Sequence, residues 1–156
     1  MPTIFTDATP SAQRSCYRVA SVRYQSYATS VYAPNWVTDQ QSAELYAIFH
    51  GLRQACLRKL TYVCLVTDNS SAYFTLISGK ISSKNRTRLR ILRRIHRLIY
   101  QNNCQVQLMW IPLKLNLADP FSRSQNYLPV PTSFNPDEVL NHLSTCQTLK
   151  RFWWRH

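Results

Sequence analysis

The pattern of apolar and polar positions predicts β-strands in five stretches of this chain. Residues 3–7 are a short apolar, β-branched run, residues 16–25 alternate in part, and residues 29–33 fit a strand returning from them. These three predict an antiparallel three-stranded start. Residues 61–67 form a continuous apolar run, typical of a strand buried on both faces, and residues 104–111 alternate clearly as a further strand.

Helical periodicity fills the segments between those strands. Thr38 and Gln41 match a capping box, and residues 39–59 follow as a helix with one apolar face. A short helix is predicted near residues 70–78. Residues 83–101 have a strong apolar stripe covered by arginines, which predicts a long amphipathic helix.

A last helix is predicted near residues 136–149. Asn135 is a good cap, Pro136 fits a first turn, and Asp137 and Glu138 favour the positive end of a helix. The whole order of elements predicts an α/β fold. We expect a mixed five-stranded sheet, with three antiparallel strands and then parallel ones, flanked by helices.

Aspartates follow two of the predicted strands. Asp7 closes the run 3–7, and Asp68 closes the run 61–67. If the two strands are parallel neighbours joined through the first helix, their carboxyl ends meet at one edge of the sheet. Ligand sites form at that edge in open α/β sheets.

The charge balance makes every acid informative, since 7 Asp and Glu face 19 Lys and Arg, for a net charge of +12. Such a basic chain favours a polyanionic partner, nucleic acid before acidic membrane. Asp39, Asp137 and Glu138 fall in first helical turns and need no further role. Glu44 lies beside an apolar helix stripe, and Asp119 lies in the loop after the last strand.

Each of the four remaining acids also has a purely structural interpretation. The alternatives are helix caps at Asp68 and Asp119, an Asx turn at Asp7, and a partly exposed side chain at Glu44. Together, however, they gather carboxylates at one sheet edge, which is unfavourable unless a cation lies among them. Oxygen ligands without His or Cys favour Mg²⁺ or Mn²⁺, and two such ions support phosphoryl displacement.

Composition excludes several other functions. Because the chain has only two glycines, it cannot contain a glycine-rich phosphate loop. The five cysteines are scattered without a CxxC or a Cys/His cluster, which argues against structural zinc and for reduced thiols. No apolar run approaches the roughly 20 residues of a membrane span, and we expect neither a membrane partner nor a small-molecule cofactor.

Four sequence blocks occur in the order FTDATP, SAELYAI, VTDNSS and WIPLKLNLADPFSR. Together they resemble a ribonuclease H domain. The Asp-Ala-Thr-Pro and Asn-x-Ala-Asp-x-x-Ser-Arg variants are similar to the hepadnaviral kind, which is the C-terminal domain of the reverse transcriptase of hepatitis B-like viruses. The motifs span residues 4–123, and we expect one ribonuclease H-like domain over 1–156, with a helix and a basic aromatic tail in 124–156.

The resemblance implies a catalytic and metal-binding set of Asp7, Glu44, Asp68 and Asp119. These acids would bind two Mg²⁺ ions, with Mn²⁺ as a substitute, and hydrolyse the RNA strand of an RNA–DNA hybrid. Asp7 would bridge the ions, and the products would be a 3′-hydroxyl and a 5′-phosphate. The implied partners are the hybrid and the other domains of a viral polymerase, acting in viral nucleocapsids in the host cytoplasm.

The basic residues are expected to contact the nucleic acid, because the long helix carries cations without acids between them. The alternatives are a solvated helix face, a solvated loop charge at Lys114, and a pairing of Arg123 with an active-site acid. The expected contacts are Lys80, Lys84, Arg86, Arg88, Arg90, Arg93, Arg94, Arg97, Lys114 and Arg123.

The last motif departs from many cellular ribonucleases H, because its loop PLKLNL contains no histidine. The tail RFWWRH is compatible with base stacking, but packing onto its own or a neighbouring domain is favoured. Two other functions stay open. One is a non-catalytic nucleic-acid-binding module, and the other is an integrase- or resolvase-type nuclease of the same general fold.

Overall fold

The computed structural model describes residues 1–82, 84–123 and 134–149. A six-stranded mixed sheet lies at its centre, in the order β3-β2-β1-β4-β5-β6. β1, β2 and β3 are antiparallel, β4 and β5 run parallel to β1, and β6 is antiparallel to β5. The strands are β1 (Thr3–Pro10), β2 (Tyr17–Arg23), β3 (Tyr27–Tyr32), β4 (Tyr62–Thr67), β5 (Gln105–Trp110) and β6 (Gln147–Thr148). The predicted mixed α/β fold is confirmed, with one strand more than predicted.

Five α-helices accompany the sheet within the described residues. They are α1 (Gln40–Leu57), α2 (Ser70–Ser78), α3 (Arg86–Asn102), α4 (Asp119–Arg123) and α5 (Pro136–Val139). In this part of the chain, no helix combines the length and apolar content that a bilayer crossing requires.

The predicted capping box at the start of α1 is wrong. Asp39 is the cap, and its Oδ1 accepts the backbone N–H of Ser42 at 2.9 Å. Aspartate is a better cap than threonine, so the helix starts one residue later than predicted. α3 likewise begins at Arg86 instead of residue 83, because Asn85 caps it by accepting the N–H of Arg88 at 3.1 Å.

The predicted helix over residues 136–149 is also wrong beyond Val139. Residues 140–145 form a 3-10 turn, and the chain then becomes β6. Thr145 explains the change, because its hydroxyl bonds both the N–H and the carbonyl oxygen of Trp110, at 2.9 and 3.0 Å. This pairing draws the chain onto the open edge of β5.

Each face of the sheet carries its own apolar core. Alternate residues of a strand point to opposite faces, so Ile4 of β1 packs under α1 and α3 while Phe5 packs on the α4 side. β4 contributes Leu65 to the first core and Val66 to the second. Burial on both faces accounts for its continuous apolar sequence.

Gly51 allows α1 to lie very close to the sheet. A Cβ atom at this position would stand 2.7 Å from Cγ2 of Thr6 and 3.3 Å from Cδ2 of Leu65. Both neighbours belong to the two central parallel strands. The close approach brings the earlier turns of α1, including Glu44, against the same strands.

The register between β1 and β4 determines how far along the sheet the two aspartates lie. Phe5 pairs with Val66, so Asp7 and Asp68, each two residues further along, stand side by side. β1 does not end at Asp7 as predicted, because Asp7 pairs with Ala20 of β2 and the strand continues to Pro10. The alternative of an Asx turn at Asp7 is therefore wrong.

Candidate active site

Three acids from three separate elements converge beside the sheet. Asp7 comes from the middle of β1 and Glu44 from the second turn of α1, and Asp68 directly follows β4. Each offers a carboxylate oxygen, and these three oxygens all lie within 4.8 Å of one another. The grouping is that expected for ligands of a shared cation.

Asp7 is almost fully buried, with 3% of its surface exposed. Its Oδ2 accepts a hydrogen bond from the Ser122 hydroxyl at 2.9 Å. Burial and the negative charge of Asp68 raise the pKa of Asp7 to about 7. In the absence of a cation, this carboxyl group therefore loses its proton only near neutral pH.

Glu44 is the most strongly perturbed of the three acids. Burial and the charges of Asp7 and Asp68 raise its pKa to about 9. Its Oε1 accepts a hydrogen bond from Gln40 at 2.9 Å. Its Oε2 is buried without a hydrogen-bond partner among the described residues, an arrangement that disfavours the charged form.

Asp68 is held by the side chain of Asn116, whose Nδ2 donates to Oδ2 at 2.8 Å and also to the carbonyl oxygen of Thr6 at 2.9 Å. Burial raises the pKa of Asp68, although the bond from Asn116 opposes the shift. Asp68 does not cap α2. That position belongs to Asn69, which accepts the N–H of Ala72 at 2.7 Å.

Asp119 lies next to the cluster but outside the group of three. It opens α4, and its Oδ1 accepts from Nε of Arg123 at 3.1 Å. It also shares a side-chain hydrogen bond with Asp7, and its charge raises the pKa of both Asp7 and Asp68. The fourth predicted acid is therefore near the site, with its carboxylate turned partly towards Arg123.

A divalent cation fits this group of residues. No lysine or arginine forms an ion pair with Asp7, Glu44 or Asp68 in the described ranges. The charge of Asp68 raises the pKa of Asp7, the charges of both raise the pKa of Glu44, and one buried oxygen of Glu44 has no partner among the described residues. Hard oxygen ligands of this kind suit Mg²⁺ or Mn²⁺. The assignment of these acids as metal ligands stays a prediction.

The predicted nucleic-acid residues of α3 and the segment before it divide into two groups. Five are exposed and enter neither an ion pair nor a contact with an aromatic ring within the described residues: Lys80, Lys84, Arg86, Arg93 and Arg97. The other three contact their own protein. Arg88 pairs with Asp39 at 3.3 Å, while Arg90 and Arg94 lie over the ring of Trp36 at 4.1 and 5.3 Å from its centroid.

The ion pair of Arg88 also locates α3 relative to the acids. Asp39 caps α1 one turn before Glu44, so the first turn of α3 stands near the end of α1 that carries the site. The free arginines of α3 follow along the outer side of that helix. A basic surface therefore begins close to the carboxylates.

Lys114 and Arg123 are close to the acids in different ways. Lys114 is exposed in a 3-10 turn and lines a depression of about 200 Å³ together with Asn116 and Asp119. Arg123 pairs with Asp119, which is the alternative that the sequence left open for it. The tail RFWWRH lies outside the described residues.

Three polar residues of the site were not identified from the sequence. Ser122, Asn116 and Gln40 each hydrogen-bond one of the clustered acids. Asn116 and Ser122 belong to the motif Asn-x-Ala-Asp-x-x-Ser-Arg, so the signal was present in the residues that carried the resemblance.

Comparison with known proteins identifies the family of the chain and agrees with its fold. A family model described as reverse transcriptase-like matches residues 25–122. That match includes Glu44, Asp68 and Asp119 and most of the described fold. No curated protein matches the chain.

Solved structures of ribonucleases H are similar in fold. Ribonuclease H1 from the halophilic archaeon Halobacterium salinarum aligns with a TM-score of 0.64 and 13% identity, over 78% of this chain and 92% of that one. The N-terminal ribonuclease H domain of a Mycobacterium tuberculosis protein, solved as a fusion with maltose-binding protein, aligns with a TM-score of 0.63 and 16% identity, over 77% and 88%. At these identities the likeness shows the fold.

Proposed function

The chain belongs to the reverse transcriptase-like family, and from that premise we propose that it is a metal-dependent endoribonuclease that hydrolyses the RNA strand of RNA–DNA hybrids. The observation that carries the proposal is the convergence of Asp7, Glu44 and Asp68 within 4.8 Å on a ribonuclease H-like fold. Scattered acids on the same fold would have favoured a binding module.

The three clustered acids, with Asp119 beside them, would hold two Mg²⁺ or Mn²⁺ ions. Ions of this kind stabilise the attacking and leaving oxygens of an in-line phosphoryl displacement. The protein contributes the orientation of its carboxylates. Asn116 fixes Asp68, Ser122 fixes Asp7, and each also bonds backbone nearby.

Basic residues would hold the substrate across this site. The exposed arginines of α3 are suited to the phosphate backbone, and Lys114 is suited to a phosphate near the acids. Choice of a hybrid over duplex DNA would depend on groove shape and on contacts to 2′-hydroxyl groups of one strand. The expected products are a 3′-hydroxyl and a 5′-phosphate.

We place this activity in the reverse transcription of a hepadnavirus-like virus. The support is the motif pair Asp-Ala-Thr-Pro and Asn-x-Ala-Asp-x-x-Ser-Arg in a chain of the reverse transcriptase-like family. The domain would act beside the other domains of a viral polymerase, inside nucleocapsids in the host cytoplasm, and degrade the RNA template after DNA synthesis.

The second candidate is a non-catalytic nucleic-acid-binding module. It is favoured by the ion pair of Asp119 with Arg123, which turns one predicted ligand towards a cation of the protein. In that case the chain would bind the hybrid and leave it intact.

A cleavage assay separates these functions. A hybrid with labelled RNA is incubated with Mg²⁺ or Mn²⁺, with and without EDTA, beside a labelled DNA duplex. We expect metal-dependent cutting of the hybrid alone, and a loss of at least about 100-fold in Asp68→Asn because a charge at the reacting centre is removed. The matched control Asp137→Asn alters an exposed acid of α5 and should cut normally.

Each other outcome identifies an alternative. Binding of the hybrid without cutting favours the module. Equal cutting of the DNA duplex favours an integrase- or resolvase-type nuclease. Equal activity of Asp68→Asn and the control removes the acid cluster from the reaction.

A further inference from the structure

Two arginines converge on one tyrosine ring near the acid cluster. The guanidinium carbon of Arg18 lies 4.1 Å from the centroid of the Tyr32 ring, and that of Arg14 lies 4.3 Å from the same centroid. Arg14 is exposed in the turn between β1 and β2, whereas Arg18 lies within β2. Two positive groups are thus held at one ring.

Arg18 is unusual because it is buried without an acid. It has 6% of its surface exposed, and its Nη1 donates to the hydroxyl of Ser30 at 3.0 Å. Buried arginines ordinarily pair with a carboxylate. The ion pairs among the described residues, which include every acid of the chain, are formed by Arg88 and Arg123, so neither Arg14 nor Arg18 has a negative partner.

The position of this pair relative to the acids follows from the sheet register. Asp7 pairs with Ala20, and Thr9 pairs with Arg18. Arg18 and Asp7 therefore point to the same face of the sheet, with Cα atoms about 7–8 Å apart, as for diagonal neighbours on adjacent strands. The hydroxyl groups of Thr9 and Ser122 are 2.7 Å apart, which links this corner of the sheet to the residue that holds Asp7.

We propose that Arg14, Arg18 and Tyr32 form a subsite for a backbone phosphate of the nucleic acid, beside the phosphate that reacts. This inference rests on the proposed function and extends it by naming a contact on the β1–β2 side, away from α3. Arg18 is fixed by the sheet and gives the subsite its place. Arg14 reaches it from the turn, and a phosphate bound by both groups offsets two positive charges that no carboxylate of the described residues pairs with.

Stacking on Tyr32 explains how the arginine side chains keep their orientation without an acidic partner. A guanidinium group over an aromatic ring is attracted by the ring's negative face. This attraction orients the arginine and, apart from the bond of Arg18 to Ser30, leaves its N–H donors for a phosphate, whereas a carboxylate partner would occupy them. An acid in this place would also repel the substrate.

The test measures binding of a labelled RNA–DNA hybrid by fluorescence anisotropy at several salt concentrations, with Ca²⁺ in place of Mg²⁺ to limit cutting. We expect Arg14→Gln to weaken binding and to reduce the slope of log affinity against log salt by about 1, as for one lost phosphate contact. Arg18→Gln should do the same. Because Arg18 is buried, its variant is also checked by thermal melting, and the exposed Arg14 gives an independent result.

Arg58→Gln is the matched control. Arg58 lies over the ring of Tyr27 at 3.6 Å, is exposed, and has no ion pair in the described ranges. Tyr27 is at the other end of the β2–β3 ladder from Tyr32. The same kind of arginine–tyrosine contact is therefore removed far from the acids, and we expect no change in the salt slope.

A series of hybrids, each with one uncharged methylphosphonate at a different backbone position, locates the contact. One uncharged position should weaken wild-type binding and have no further effect in Arg14→Gln. The subsite is overturned if Arg14→Gln and Arg18→Gln keep the wild-type slope, or if every methylphosphonate acts equally on wild type and variant. If the variants change the slope but the wild-type protein does not cut the hybrid, the subsite stands and the proposed function fails. If the wild-type protein cuts the hybrid but the variants keep its slope, the proposed function stands and the subsite fails.

Discussion

At the scale of single residues, the site is built from charges that the protein does not neutralise. Burial raises the pKa of Asp7, Glu44 and Asp68, the charge of Asp68 adds to the shift of the other two, and neutral donors hold all three in place. Like charges in partial burial are unfavourable. The fold holds them together because β1, β4 and α1 are fixed by apolar packing on both sides of the sheet.

Asn116 is the neutral donor with the most contacts. Its Nδ2 donates to Asp68 and to Thr6, and its Oδ1 accepts the N–H of Ala118 at 3.0 Å. We expect Asn116→Ala to lower the free energy of unfolding by about 1–3 kcal/mol, because buried polar groups lose their partners. Metal affinity should also fall about tenfold or more, since a group that orients a ligand is removed.

Urea unfolding and metal titration check this expectation against Asn102→Ala. Asn102 makes one exposed side-chain bond, to the carbonyl oxygen of Leu98, so its replacement should change stability by less than about 0.5 kcal/mol. Equal effects of the two substitutions would contradict the role given to Asn116.

The sequence indicated the grouped acids but not their supporting residues. Asp7 and Asp68 could be predicted to meet because each closes an apolar run with strand character, and the strand order then sets their distance. Asn116 and Ser122 reach the acids from 48 and 115 residues away in the chain. Such contacts depend on the path of the loop after β5, which no local pattern specifies.

At the scale of elements, α1 determines whether the acids can meet at all. Gly51 lets it approach β1 and β4 so closely that no Cβ fits without movement. We expect Gly51→Ala to lower the free energy of unfolding by about 1–3 kcal/mol through overpacking, in spite of the better helix propensity of alanine. Thermal unfolding checks this, and a gain in stability would show that the helix does not need the close approach.

The basic helix α3 makes a second prediction at this scale. Replacing Arg86, Arg93 and Arg97 together by Gln should reduce the salt slope of hybrid binding by about 2–3, if each contacts one phosphate. Arg88→Gln is the control in the same helix, and its effect should be smaller because Arg88 already pairs with Asp39. A triple variant with the wild-type slope would exclude this face of α3 from the interface.

Elements with a strong apolar stripe were predictable, and the C-terminal segment was not. α3 has buried residues at Ile91, Leu92, Ile95 and Ile99, a spacing that only a helix satisfies. After Val139 no comparable stripe exists, and bonds from Thr145 to the edge of β5 override the local helix signal.

At the scale of the whole molecule, the acid cluster makes stability depend on pH. The folded protein holds protons on Asp7 and Glu44, with pKa values of about 7 and about 9, whereas the unfolded chain releases them near pH 4. The folded state then binds more protons, so the free energy of unfolding falls as pH rises. Between pH 6.5 and 8 without metal, we expect a fall of about 1–3 kcal/mol.

The chosen pH window limits the opposing effect of His50, whose pKa is lowered from 6.5 to about 4 by burial, so that most of its effect lies below pH 6.5. Urea unfolding in EDTA measures the fall. Glu44→Gln should remove most of it, and Glu138→Gln, an exposed acid of α5, should leave it unchanged. A wild-type profile that is flat or rises with pH would contradict the raised pKa values.

Metal binding by the carboxylate cluster is the central claim, and titration calorimetry with Mn²⁺ at pH 8 measures it without any substrate. The account predicts saturable binding in the wild-type protein, its loss in Asp7→Asn, and its retention in Asp137→Asn. Absence of saturable binding, or equal binding by wild type and Asp7→Asn, would contradict it.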